Sequence, residues 1–265
     1  MQKRTEALGK ELFYELVDAD NGRQVEDALA IDNEGFSTII DPPATYDEIE
    51  YMAREGWLWL QYAKENGHII PTGVMELISL TKALDFRLVK ANGDSPLAKI
   101  AENHERVFSD ARRFAGDEDI IYGHGISMAR RRRGYGTLLL QHALDNTPNA
   151  RVRPIAGYID LATKTDGSMK LAPNEMSYAL NIREGRFVVI GVVDPPVYDS
   201  TTTHFAVMRP PDSMPFRVDY DMQRRLGVYG DASKVVADAK ELLSSGFIGV
   251  SYDMQRHEMA FAKLK

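Results

Sequence analysis

The chain has 265 residues, a formal net charge of −7 and a sequence pI near 5.5; at 44% hydrophobic and 27% charged it reads as a globular chain of one large domain or one and a half. It has no cysteine, which excludes disulfides, thiol nucleophiles and cysteine-ligated zinc. Its acidity speaks against the extended basic face of a nucleic-acid binder, no stretch approaches the ~18 apolar residues of a membrane span, and MQKRTEALGKELF lacks the apolar core of a secretory signal, so the expected compartment is the cytoplasm.

Taken in order, residues 12–19 predict a first strand and 22–31 a short helix. Thr45-Tyr46-Asp47-Glu48 has the spacing of a capping box and predicts a helix ending near Gly56. Residues 57–80 predict a hairpin turning at Glu65-Asn66-Gly67, because Asn-Gly supplies the positive φ of a tight turn. In 81–118 the residues Leu97, Ile100, Ala101, Val107, Phe108, Ala111 and Phe114 recur at helical spacing, which predicts an amphipathic helix that either packs on the domain or covers a pocket.

Residues 119–128 predict a strand, and 134–146 a helix whose Leu140, Ala143 and Leu144 form one ridge. Between them stand four consecutive arginines, 130–133, and then Gly134-Tyr135-Gly136. A first helical turn leaves about four backbone N–H groups without partners, and the helix dipole favours an anion there. Glycine admits close approach to the main chain, and arginine adds charge-assisted hydrogen bonds. Strand, basic glycine turn and helix start together predict a pyrophosphate socket. It is not a Walker loop, since no Gly-Lys-Ser/Thr follows, and not a dinucleotide fingerprint, since Gly123-x-Gly125 meets Met128 where a third glycine belongs.

Further strands are predicted at 153–162, 187–193 and 204–209, with a helix opened by Asn174. Beyond 212 the order is strand, helix (232–244) and two strands (247–252 and 258–264); YDMQR occurs at 220–224 and at 252–256, too short a match to argue duplication.

Arg131-x-x-Gly134-x-Gly136 resembles the CoA-pyrophosphate motif, Gln/Arg-x-x-Gly-x-Gly/Ala, of the GNAT superfamily of acyl-CoA-dependent N-acyltransferases. Asn174, Ser177 and Leu180 resemble its second motif, Asn-x-x-Ala-x-x-Leu-Tyr. Two departures stand out: Asn181 occupies the tyrosine position, and Gly185-Arg186-Phe187 replaces Gly-Phe with one residue inserted.

The resemblance implies an α/β (α+β) fold, a mixed and mostly antiparallel central sheet flanked by helices. It assigns 1–212 to a GNAT-like domain with a helical insertion at about 81–118, leaving 213–265 as a small C-terminal α/β extension. It implies acetyl-CoA or another acyl-CoA as cosubstrate, no metal, and a small-molecule or peptide amine as acceptor. It implies neither nucleic acid nor membrane as partner, and it allows a homodimer. Arg131, Arg132, Arg133, Gly134, Tyr135, Gly136 and Thr137 would hold the phosphates. Ile126 and Met128 would offer main-chain donors, and Asn174 and Asn181 would line the cosubstrate's path. An acceptor ammonium must lose a proton before it attacks; His124, Tyr122 and Glu76 are the candidate bases. With Asn181 unable to act as an acid, Tyr178, one turn back, is the candidate donor to the leaving thiolate, beside water. An acyl-CoA decarboxylase on the same scaffold and a non-catalytic acyl-CoA sensor are the alternatives.

Overall fold

The computed structural model describes residues 3–7, 10–36, 43–89, 96–116, 119–129, 134–171, 174–195, 197 and 201–265. In chain order it begins with β1 (Lys3–Ala7), β2 (Lys10–Leu16), α1 (Gly22–Phe36), α2 (Tyr46–Arg54), β3 (Leu58–Glu65) and β4 (His68–Ser79). The insertion follows as α3 (Leu80–Val89), α4 (Pro96–Glu102), α5 (His104–Val107) and α6 (Ser109–Ala115). Then come β5 (Ile121–Met128), α7 (Tyr135–Asn146), β6 (Ile155–Thr165), β7 (Ser168–Leu171) and α8 (Glu175–Tyr178), which runs into a π-helical turn over Ala179–Glu184. The chain closes with β8 (Val188–Val193), β9 (Thr202–Arg209), β10 (Val218–Gly227), α9 (Ala232–Ser244), β11 (Phe247–Asp253) and β12 (Glu258–Leu264). Among the described residues no helix is long and apolar enough to cross a membrane.

The chain forms two compact units, 1–102 with 121–150, and 103–120 with 151–265. In the first, β1 to β5 pair in sequence order, each antiparallel to its neighbour. The predicted hairpin is there: Glu65 pairs with His68 across Asn66 and Gly67, both at positive φ (50° and 84°), as a two-residue turn of that hand requires. The capping box is also present, with Thr45 Oγ1 accepting from the Glu48 amide (3.3 Å) and Glu48 Oε2 from the Thr45 amide (3.5 Å).

One face of this sheet carries α7. Trp59 Nε1 donates to Thr147 Oγ1 (2.8 Å), Gln61 Nε2 donates to the Tyr135 carbonyl (3.1 Å), and Tyr14 stacks on His142 at 4.2 Å. The other face carries α1, which comes so close to β5 that a Cβ at Gly35 would strike the Ser127 side chain. Glycine is the residue that permits this approach.

The predicted helix over 81–118 is four shorter helices, and the division into units falls inside it, after Glu102. Gly116, with φ 62°, ends α6. Leu97, Ile100 and Ala101 on α4 are fully buried in the first unit, and Phe108 is fully buried in the second. That burial is the signature of packing.

In the second unit the strand order is β6-β9-β8-β11-β12-β10, antiparallel throughout, with β7 paired to β6. The C-terminal strands therefore extend the sheet that holds β8 and β9. Helix α9 is capped by Asp231, which accepts from the Lys234 amide at 3.1 Å, and it buries Val235, Val236, Ala239 and Leu243. The first YDMQR lies in β10; the second spans the end of β11 and the following turn, so the two copies have different structures.

Candidate active site

Strand β5 carries an irregularity that its sequence conceals. Glu76 pairs with Gly125 and Leu77 with Gly123, so His124 is an extra residue with no partner on β4. Alternation predicts that Tyr122, His124, Ile126 and Met128 share a face, but one extra residue reverses the faces beyond it. Tyr122, paired with Ile78, falls on the face of Glu76 and Ser127, towards α1 and α2. Ile126 and Met128, paired with Met75 and Gly73, fall on the α7 face, where Met128 and Leu139 both lie over Gly73. The expected row is thus split. The side chain of His124 lies outside the described residues, as do Arg131, Arg132 and Arg133 entirely.

The residues that follow the arginine run are described. Gly134 is the N-cap of α7 at φ 69°, and among the described residues no side chain caps the helix. Among the described residues nothing lies within 4 Å of a Cβ built on Gly134. Tyr135 is buried, while Gly136 and Thr137 are half-buried.

On the opposite face lies a buried carboxyl cluster. Glu76 on β4 and Glu48 on α2 are fully buried, and Asp32 on α1 is 4% exposed. Ser127 Oγ donates to Asp32 Oδ1 at 3.1 Å, and Glu48 Oε1 accepts from the Leu97 amide at 2.6 Å. Burial, then Ser127 and Glu76 as hydrogen-bond partners acting against it, leave the Asp32 carboxyl pushed up to about 6. Burial first, and the carboxylates of Asp32 and Glu48 next, push Glu76 well above the usual carboxylate range. Asp32 and Glu76 are two buried carboxyls acting on one another, so they do not ionise independently. The Tyr122 hydroxyl is driven well above its ordinary value by burial and by Glu48 and Glu76. Such a phenol holds its proton near neutrality, so Tyr122 does not fit the role of base.

The second motif lies in the second unit. Asn174 Oδ1 accepts from the Ser177 amide (3.1 Å), making it the N-cap of α8. Asn181 Nδ2 donates to the Ser177 carbonyl at 3.0 Å. Tyr178 is fully buried; its hydroxyl donates to the Asp160 carbonyl at 2.7 Å, and its ring lies 5.1 Å from Tyr252 and 5.9 Å from Phe205. Burial, then Asp160 and Tyr252, push that hydroxyl well above its ordinary value. Donor and ring are both engaged, which is the position of a packing residue and not of a proton donor to a substrate.

No protein-family model and no curated protein sequence matches the chain. Among solved structures it is similar to a mosquito arylalkylamine N-acetyltransferase-like 5b protein, with a TM-score of 0.52 at 15% identity over 75% of this chain and 99% of that one. It is also similar to a Drosophila melanogaster polyamine N-acetyltransferase, described as catalysing the formation of N-acetylagmatine, with a TM-score of 0.50 at 13% identity over 75% and 99%. The fold is that of the GNAT superfamily.

Within this GNAT fold four groups escaped sequence reasoning. Asp32 lies one residue past the expected end of the first helix, which in fact continues to Phe36. Glu48 was legible only as a cap; it caps with Oε2 and holds α4 with Oε1. In the second unit Glu175 Oε1 gathers Tyr229 (3.0 Å), Tyr252 (2.9 Å) and His257 (2.5 Å), while buried His204 and Asp160, cross-strand partners on β9 and β6, stand 3.2 Å apart. These partners are up to 82 residues apart in sequence, and no short motif marks them.

Proposed function

We propose that the chain is an acyl-CoA-dependent N-acyltransferase that moves an acyl group, acetyl in the first instance, from CoA to a small amine by direct attack. The observation that carries this is the start of α7 after strand β5 and the arginine run, with Gly134 at positive φ and, among the described residues, no side-chain cap and no atom within 4 Å of where its side chain would stand. A diphosphate needs such a main-chain approach, and the helix dipole adds to it. Two structures of similar fold carry the names of amine N-acetyltransferases, which supports the same reaction class and an amine acceptor here.

In this reading Arg131, Arg132, Arg133 and the amides of Tyr135, Gly136 and Thr137 hold the phosphates. Ile126 and Met128 offer main-chain N–H groups near the reacting carbonyl. The cosubstrate, when bound, supplies the thioester carbonyl and the thiol leaving group. The acceptor must arrive as a neutral amine, so its proton passes to His124, directly or through water. Asn174 and Asn181 hold the second-motif helix through Ser177, and with Tyr178 engaged the leaving thiolate takes its proton from water.

The test is incubation with acetyl-, propionyl- and malonyl-CoA, with and without a panel of amines, reading free thiol and carbon dioxide. Thiol release that requires an amine supports the proposal. Carbon dioxide from malonyl-CoA without an amine, or binding without turnover, overturns it. Gly134→Glu places bulk and negative charge at the helix start, so CoA affinity should fall more than about tenfold, ~1.4 kcal/mol. Unchanged affinity in a folded variant ends the phosphate reading.

A further inference from the structure

The second unit contains a groove of about 440 Å³, within the range of small-molecule sites, between the π-helical turn and the bulged edge strand β10. Three arginines line it, Arg183, Arg186 and Arg209, against one aspartate, Asp212. This is a cationic concentration in a chain of net charge −7. Its apolar walls include Phe187, which is buried, Phe216 and Tyr220.

The three arginines are not equivalent. Arg183 pairs with Glu184 at 2.7 Å. Arg209, with a side chain only 9% exposed, pairs with Asp212 at 2.7 Å. Among the described residues Arg186 has no ion pair or hydrogen-bond partner to its side chain, and it is exposed. It also sits at φ 58°, the left-handed region, which costs a non-glycine residue roughly 1–2 kcal/mol. The strain is fixed by what flanks it. The Gly185 amide donates to the Leu180 carbonyl (2.9 Å), the Phe187 amide donates to the Asn181 carbonyl (3.0 Å), and the Phe187 ring is buried. Glycine would satisfy this backbone at lower cost. The chain instead places there a guanidinium that no described carboxylate neutralises.

We propose that this groove is a binding site for a small organic oxyanion, a carboxylate or phosphate carried on a flat apolar body. Arg186 is the anion's principal partner, Arg209 the positive charge of the buried wall, and Phe187, Phe216 and Tyr220 the surfaces against which the body lies. A guanidinium fork matches the two oxygens of a carboxylate or phosphate, and aromatic rings bury a planar body. The edge strand contributes through its own irregularity. Asp219 pairs with Lys263 and Gln223 with Ala262, so Tyr220–Met222 loop out and bring Tyr220, 65% exposed, to the rim. The site does not depend on the acyltransferase reading.

Calorimetry on the full chain with 1-naphthoate, 1-naphthyl phosphate and 1-naphthalenemethanol tests it. The two anions should bind and the alcohol should bind at least about tenfold more weakly; which anion is tighter identifies the oxyanion. Arg186→Gly relieves the left-handed strain, so its melting temperature should hold or rise while anion affinity falls at least about tenfold. Arg186→Gln should show the same loss. CoA affinity should be unchanged in both variants, which separates failure here from failure of the acyltransferase reading. Equal binding of the alcohol, unaltered anion binding in the folded variants, or displacement of the naphthyl anions by CoA would each overturn the proposal.

Discussion

Replacing Asp32 by asparagine should favour the variant over the wild type by an amount that grows as pH rises from about 4 to about 6 and then levels off. The folded chain raises the Asp32 carboxyl from 3.8 to about 6, chiefly through burial. Across that interval the folded state holds a proton that the unfolded state has released, so stability falls as pH rises through it. The contribution is fully present below 3.8 and lost above about 6. A rise of roughly two pH units, at ~1.4 kcal/mol for each, amounts to about 3 kcal/mol. Between about pH 4.5 and pH 8 roughly two-thirds of it, ~2 kcal/mol, should be visible. Asparagine keeps an oxygen for Ser127 Oγ and removes the buried ionisable group. Urea unfolding of both proteins at the two pH values gives the difference directly, and melting curves should separate by ~4–8 °C more at the higher pH. A gap that does not change with pH would refute the reasoning, because it would mean that Asp32 ionises in the fold as readily as in the unfolded chain.

Tyr178→Phe should cost ~1–3 kcal/mol of stability, because the buried Asp160 carbonyl loses its 2.7 Å donor; a loss of turnover at unchanged melting temperature would instead mark the hydroxyl as catalytic. Glu175→Ala leaves the hydroxyls of Tyr229 and Tyr252 and the ring of His257 without their common acceptor and should lower the melting temperature. Burial pulls the Glu175 carboxyl up, but hydrogen bonds from Tyr252, His257 and Tyr229 outweigh this and hold it below 4.5. The wild type should therefore lose this stabilisation as pH falls through that lowered value. An acid transition of the same midpoint in Glu175→Ala would show that the cluster carries no such coupling.

Local chemistry was legible wherever a few adjacent residues decide the backbone. Thr45 and Glu48 announce their reciprocal cap, Asn66-Gly67 announces its turn, and Asp231 opens α9 where the apolar spacing begins. Gly134 likewise opens α7 where the apolar helical spacing begins. Long-range convergence was not legible. Asp32, Glu48, Glu76 and Tyr122 meet because α1 and α2 cross the face of β4 and β5, and nothing in the spacing of these four residues reports that crossing. The 81–118 segment misled for a related reason. Its apolar residues do recur at helical spacing, but Leu97 and Phe108 serve the cores of different units, which one straight helix could not be read to do.

The remaining discrepancies share one physical form, an inserted residue that period-based reading cannot register. His124 shifts the faces of β5, so Tyr122 joins the carboxyl cluster while Ile126 and Met128 face α7. Leu161 does the same in β6, between the pairs Asp160–His204 and Ala162–Thr203. In the second motif the residue inserted between Gly185 and Phe187 follows directly on the π-helical turn and stands at positive φ as Arg186. Each insertion breaks a repeating hydrogen-bond pattern, and a chain bears that cost where a side chain must be aimed away from the direction its element would give it. On β5 the insertion separates the face that holds the carboxyl cluster from the face that carries α7. In β6 it lies next to Asp160, whose carbonyl engages Tyr178 and whose carboxyl faces His204. At Arg186 it turns a guanidinium into a groove. Gly185-Arg186-Phe187 was conspicuous in the sequence as a departure from pattern, and it marks where the fold re-aims a polar group.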